Sequence, residues 1–206
     1  MYSKREEFWN TVTHAVGIPF GIIGLILLLD ADQHLSSQST LSLWIYGGSI
    51  VLLYTASTIY HAVPRLSWKL LLRKIDHISI YFLIAGTYTP VALISLHDSS
   101  GWSFFWTVWG ITAFGTILKV FFTGKFEVLS LLLYLVMGWL IIFDFKGVVA
   151  AHSSFGLTLL AAGGACYTIG IIFYVVEKIP LNHAIWHLFV LGGSIFHFLF
   201  ILWDVV

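Results

Sequence analysis

Two histidines late in the chain, His183 and His187, stand four residues apart in Asn182-His183-Ala-Ile-Trp-His187. If the apolar stretch that follows is helical, both imidazoles leave one face a turn apart. Helices use that spacing to present two ligands to one metal ion. With nine histidines in 206 residues the pair arises easily by chance, so it needs companions. His61, which follows Ser57 by four residues, supplies a third imidazole, and Asp76 supplies a carboxylate. Three neutral imidazoles suit Zn²⁺ and leave a fourth position for water, the pattern of a catalytic zinc. Water held there has a pKa of about 7. Asp76 could take a proton from that water or hold it by a hydrogen bond. Ser57, on the helical face of His61, could bond Asp76 or donate to an oxyanion. Imidazoles also suit copper, nickel and iron, so residue type alone does not name the metal.

The elements that must position these groups follow from composition. The chain is 59% hydrophobic and 10% charged, against about a quarter charged in soluble domains. It cannot cover a water-facing surface and is expected to be solvated by lipid. Its zero net charge argues against a nucleic-acid partner. The single cysteine, Cys166, excludes an internal disulfide. Met1 to Asn10 is charged and followed by an apolar run, but Asp30-Ala31-Asp32 is no small-residue cleavage site, so the run reads as a retained span. Seven runs approach the ~20 apolar residues a span needs: 12–29, 41–63, 77–96, 103–123, 127–145, 155–176 and 184–205. Backbone satisfaction in lipid makes them helices, since they are too long and continuous for barrel strands. The expected fold is all-α, a polytopic seven-helix membrane domain over 1–206.

Lys4, Arg5, Arg65, Lys69, Arg73, Lys74, Lys119, Lys125 and Lys178 fall on one side of these spans, and only Lys146 on the other. The positive-inside rule then sets the N-terminus in the cytoplasm and the C-terminus outside. Pro64 and Pro180 punctuate spans, while Pro19 and Pro90 should kink theirs. Gly17, Gly21 and Gly24 form a small-residue stripe suited to close packing. Trp9, Trp44, Trp102, Trp106 and Trp203 fall near span ends, as an interfacial belt would.

This orientation brings His61, Asp76, His183 and His187 to one depth near the cytoplasmic face, with Glu6, Asn10 and His14 at the same side. Each residue alone has an ordinary reading. His61 could cap a helix end, Asp76 could cap the start of the third span, and Ser57 could bond its own helix backbone. His77, His97, His152 and His34 read as solvated at loop borders. His197 lies ten residues past His187, about 15 Å along the axis, too far for the same metal, and reads as a buried hydrogen-bonded residue. The metal centre rests on the joint placement.

Taken together, Ser57-x-x-x-His61, Asp76 and His183-x-x-x-His187 resemble the signature of the hemolysin III family, the bacterial branch of the progestin and adipoQ receptor superfamily. Glu6-Glu7-Phe8-Trp9-Asn10-Thr-Val-Thr-His14 looks like its N-terminal motif. Asp76-His77-Ile-Ser-Ile-Tyr81 through Pro90 looks like its third-span motif. The resemblance covers essentially the whole chain. It implies seven helices with a cytoplasmic N-terminus, zinc on His61, His183 and His187, and a water between the metal and Asp76. It also implies a site like that of the alkaline ceramidases, hence a zinc-dependent hydrolase of lipid amides with a ceramide-like substrate in the bacterial inner membrane. The long soluble N-terminal segment of the animal receptors is not seen, which puts hormone reception in doubt. Two other functions stand beside hydrolysis: a non-catalytic membrane-homeostasis or sensor protein with the same ligands, and a cytolysin, as the family name suggests. A secreted pore-former should be soluble before insertion, and this composition is not.

Overall fold

The computed structural model describes residues 2–206. Seven helical spans, each long and apolar enough to cross a membrane, run Lys4–Ala31 (α1), Ser39–Ala62 (α2), Leu66–Ser95 (α3), Gly101–Phe122 (α4), Glu127–Ala151 (α5), Ser154–Val175 (α6) and Asn182–Val205 (α7). Among the described residues there are no strands. The outer face is apolar: Phe143, Phe121 and Val128 are 85%, 72% and 72% exposed. In water such a surface would be untenable, so lipid is its solvent. All five tryptophans expected at span ends are exposed there.

Local chemistry accounts for where these helices start and bend. Ser3 and Glu6 form a reciprocal capping box, with Ser3 Oγ accepting from the Glu6 N–H at 3.3 Å and Glu6 Oε2 from the Ser3 N–H at 2.7 Å. This satisfies two otherwise orphaned donors. The helix therefore begins at Lys4, eight residues before the expected start. Its ladder is interrupted at Val16, where the bond from the Phe20 N–H to the Val16 carbonyl stretches to 3.5 Å. Pro19 is the cause, since it offers no N–H to Ala15 and its ring crowds that carbonyl. Pro90 acts likewise in α3: the next five residues, Val91–Ser95, widen into a π turn closed by the Leu96 N–H on the Val91 carbonyl at 3.0 Å. Pro180 precedes Leu181, whose left-handed φ of 57° starts α7.

The third span departs most from expectation. It starts at Leu66, not 77, so Asp76 lies in its third turn and does not cap it. Hydropathy misses the first turns because Lys69, Arg73 and Lys74 populate them. Helix α2 packs on α3, α6 on α7, and α1 lies against both α2 and α7, while α5 touches its neighbours least. The glycine stripe of α1 makes the close approach expected of it. A Cβ at Gly17 would fall 2.2 Å from the Tyr54 ring of α2, and one at Gly24 3.1 Å from Phe198 of α7. This packing sets α1 against the two helices that carry the candidate ligands.

Candidate metal centre

His61 sits in the last turn of α2, and His183 and His187 in the first two turns of α7. Asn182 fixes the start of α7 by donating from Nδ2 to the Phe173 carbonyl of α6 at 3.0 Å. The three imidazoles converge: one ring nitrogen from each lies within 4.8 Å of the others. Ring centroids are 5.1 Å apart for His61–His183 and His61–His187, and 4.6 Å for His183–His187. Tetrahedral zinc with bonds near 2.0–2.1 Å needs nitrogens about 3.3 Å apart, a separation within reach of side-chain rotation.

Hydrogen bonding assigns the tautomers. His187 Nδ1 lies 3.0 Å from the Asn10 carbonyl and 3.2 Å from Thr13 Oγ1. A carbonyl only accepts, so Nδ1 carries the proton and Nε2 keeps its lone pair. His61 Nδ1 lies 2.7 Å from Glu7 Oε2, and Lys69 Nζ lies 2.6 Å from the other oxygen of Glu7. The lysine favours the ionised carboxylate, which accepts from His61 Nδ1–H and frees Nε2. That Nε2 is buried without a partner among the described residues. Carboxylate and carbonyl partners behind the rings are the usual supports of metal-binding histidines. The donor set, the orphaned Nε2 and these supports fit a borderline metal such as zinc.

Asp76 and Ser57 are buried beside His183, His187 and His14 on the wall of one cavity of about 140 Å³. Ser57 Oγ has no partner among the described residues, so it is not bonded back to its own helix. From the histidines the cavity runs between apolar side chains, among them Leu83, Leu131, Leu135 and Val190, and reaches His197. That residue is half-buried, with Nε2 3.2 Å from the Leu160 carbonyl of α6, hydrogen-bonded as expected. A second, more open recess, bounded by Tyr2, Glu7 and Lys69, reaches His61. The Tyr2 ring lies 5.0 Å from that of His183. Burial, with Tyr60 and Tyr174 nearby, raises the Tyr2 phenol above its ordinary pKa and keeps it protonated. The histidine cluster thus borders both spaces, His61 the recess and His183 and His187 the apolar cavity.

Several residues differ from their sequence readings. His77 and His152 are buried, not solvated. His77 lies 3.7 Å from Glu127, which also binds Lys119 at 2.7 Å and Arg73 at 3.3 Å. His152 bonds Asp204 at 2.9 Å at the far end of α7. His97 is part-exposed and His34 is exposed, in line with their reading. Glu6 is occupied as a cap, and the support for His61 comes from Glu7, which the reading of single residues passed over. The missing signal was periodic: Glu7, Asn10 and His14 fall at i, i+3 and i+7 on one face of a helix that starts at Lys4. His14 stacks on His187 with centroids 3.5 Å apart and planes 15° from parallel.

Similarity to known proteins agrees with this architecture. The family described as "Haemolysin-III related" matches residues 2–198. "Hemolysin-3" of Bacillus cereus is 42% identical over 203 residues, 98% of this chain and 93% of that protein. "Hemolysin-3 homolog" of Bacillus subtilis (strain 168) is 43% identical over 94% of this chain and 92% of its own length. "Monocyte to macrophage differentiation factor" of Homo sapiens is 33% identical over 94% of this chain and 82% of its own length. With coverage from end to end and seven apolar helices, the chain is an integral multi-pass membrane protein that belongs to the haemolysin III-related family.

Proposed function

We propose that this protein is a zinc-dependent hydrolase of lipid amides, with its site near the cytoplasmic face of a bacterial plasma membrane. The observation that carries the reading is that the histidine cluster borders two spaces, an open recess at His61 and an apolar cavity at His183 and His187. Hydrolysis of a lipid needs water and an acyl chain to meet at one point, and this arrangement provides a route for each. The Lys- and Arg-rich ends of the spans lie on the same side as the cluster, which supports the cytoplasmic assignment.

His61, His183 and His187 would hold the metal through one nitrogen each. Bound there, zinc supplies a Lewis acid for the carbonyl oxygen and a water acidified to a pKa of about 7. The apolar cavity walls hold the acyl chain and exclude bulk water from the far side of the carbonyl. Asp76 faces the same space. It accepts the proton of the attacking water as oxygen adds to the carbonyl carbon, and returns it to the nitrogen as the C–N bond breaks, leaving a fatty acid and an amine. Ser57 Oγ, without a partner among the described residues, donates to the carbonyl oxygen as negative charge develops. Glu7 and the Asn10 carbonyl hold the rings of His61 and His187 in the productive tautomer.

The test is metal content by elemental mass spectrometry together with release of fatty acid from N-acyl amides. The wild type should carry about one zinc per chain. His61→Ala and His187→Ala should lose it and lose turnover while remaining helical. Wild-type hydrolysis in a folded His187→Ala variant, or no stoichiometric metal in a folded chelator-free preparation, would sink the mechanism. Stoichiometric zinc with no turnover on any N-acyl amide would favour the non-catalytic membrane-homeostasis reading.

A further inference from the structure

Most polar side chains on the cavity wall have partners. Tyr134 donates to the His77 carbonyl at 2.9 Å, Tyr88 to the Gly138 carbonyl at 3.2 Å, and Thr168 to the Gly164 carbonyl at 2.8 Å. Tyr167 pairs with Ser194 at 2.9 Å. His14, in contrast, keeps two buried ring nitrogens unmatched among the described residues. It is 3% exposed, and neither Nδ1 nor Nε2 has a partner among the described residues. One turn earlier on the same face, Asn10 is fully buried, and its side-chain oxygen and nitrogen are unpaired as well.

Packing explains the ring of His14 but not its nitrogens. The ring stacks on His187 at 3.5 Å and meets Tyr54 edge-on at 5.0 Å. A phenylalanine would make both contacts without burying two unmatched polar atoms. Buried polar groups are normally satisfied, and exceptions call for a bound partner. We propose that His14 is a specificity-determining residue that hydrogen-bonds a neutral hydroxyl on the head group of a lipid amide, beside the three-histidine cluster.

The chemistry selects that group. A neutral imidazole offers one donor and one acceptor, and a hydroxyl answers either. An anionic head group does not fit, because no lysine or arginine lines the cavity. Lys69, which shares the recess of His61, is engaged by Glu7, and both Lys119 and Arg73 are engaged by Glu127. A buried phosphate would therefore lack the pairing that buried charge requires. This inference deepens the hydrolase reading and rests on it only for the position of the reacting carbonyl.

The test compares N-dodecanoylethanolamine with N-ethyldodecanamide, which differ by one hydroxyl, on the purified full chain by calorimetry, with metal content measured alongside. The wild type should bind the hydroxylated amide about tenfold more tightly, the effect of one buried hydrogen bond. His14→Phe should bring the ratio close to one while leaving the affinity for N-ethyldodecanamide and the metal content unchanged. His14→Leu serves the same purpose if the phenylalanine variant does not fold. Equal binding of both amides by the wild type overturns the proposal. So does a preference that survives loss of His14, or loss of metal in His14→Phe, which would make His14 a ligand. A preserved preference without any hydrolysis would refute the hydrolase reading and leave this subsite standing. Hydrolysis without preference would do the reverse.

Discussion

Substitution of Glu7 separates a supported metal site from a chance meeting of three histidines. Its Oε2 accepts from His61 Nδ1–H at 2.7 Å, and its Oε1 takes Lys69 Nζ at 2.6 Å. The His61 side chain is fully buried and that of Glu7 is 18% exposed, so water replaces the carboxylate poorly. Loss of such a support typically lowers metal affinity 10- to 100-fold, or about 1.4–2.7 kcal/mol. Glu7→Gln keeps an oxygen for Nδ1–H and removes only the charge, so it should fall near the tenfold end. Glu7→Ala removes the acceptor and should approach a hundredfold. Lys69→Met leaves the carboxylate against His61 but removes the cation that holds it, and should lower affinity less than Glu7→Gln does. Affinity is read by competition with a chromophoric chelator in detergent, with helicity and thermal unfolding as controls. Wild-type affinity in a folded Glu7→Ala variant would refute the tautomer assignment and, with it, the argument that the ring of His61 is held ready for a metal.

Three further outcomes follow from packing and charge away from the ligands. Gly17→Ala should lower thermal stability by about 1–3 kcal/mol through overpacking, because its Cβ would meet the buried Tyr54 ring at 2.2 Å; Gly110→Ala, with nothing within 4 Å, should be neutral or slightly stabilising in the same unfolding assay. Glu127→Ala strands Lys119, whose side chain is 1% exposed, and should cost about 3 kcal/mol, largely recovered by pairing Lys119→Met with Glu127→Leu. Asp204→Ala removes the acceptor shared by His152 and Ser153 and should lower stability by about 2–3 kcal/mol. It should leave metal affinity unchanged, since 21 residues of helix, about 31 Å, separate Asp204 from His183. A drop in metal affinity in that variant would contradict the localisation of the site to one end of the bundle.

The spans whose flanks are polar loops were legible almost to the residue. The second was expected at 41–63 and runs Ser39–Ala62; the sixth was expected at 155–176 and runs Ser154–Val175. There the end of the apolar stretch is also the end of the helix. The first and third begin 8 and 11 residues before their expected starts of 12 and 77, at Lys4 and Leu66. Both early segments carry the charges that hydropathy treats as loop, yet a capping box starts one of them and ion pairs hold both. Hydropathy reports where lipid contacts a helix, not where the helix begins.

That distinction also decides which parts of the site were readable. The three histidines and Asp76 lie where apolar runs meet the polar border, so charge asymmetry and span counting brought them to one depth. The alternative reading of Asp76 as a cap fails because its helix starts almost three turns earlier, at Leu66. Glu7 belongs wholly to the extension of α1 beyond its apolar run, and its role is visible only once the helical period is carried back to Lys4. Here the candidate ligands come from the apolar spans, and the groups that hold the rings of His61 and His187 come from the early part of α1. Lys69 makes the point in a second helix: it lies in the early part of α3 that hydropathy omits, and it holds the carboxylate that orients His61. Extending amphipathic periodicity outward from each span end, before choosing partners for buried histidines, would have found both residues from the sequence alone.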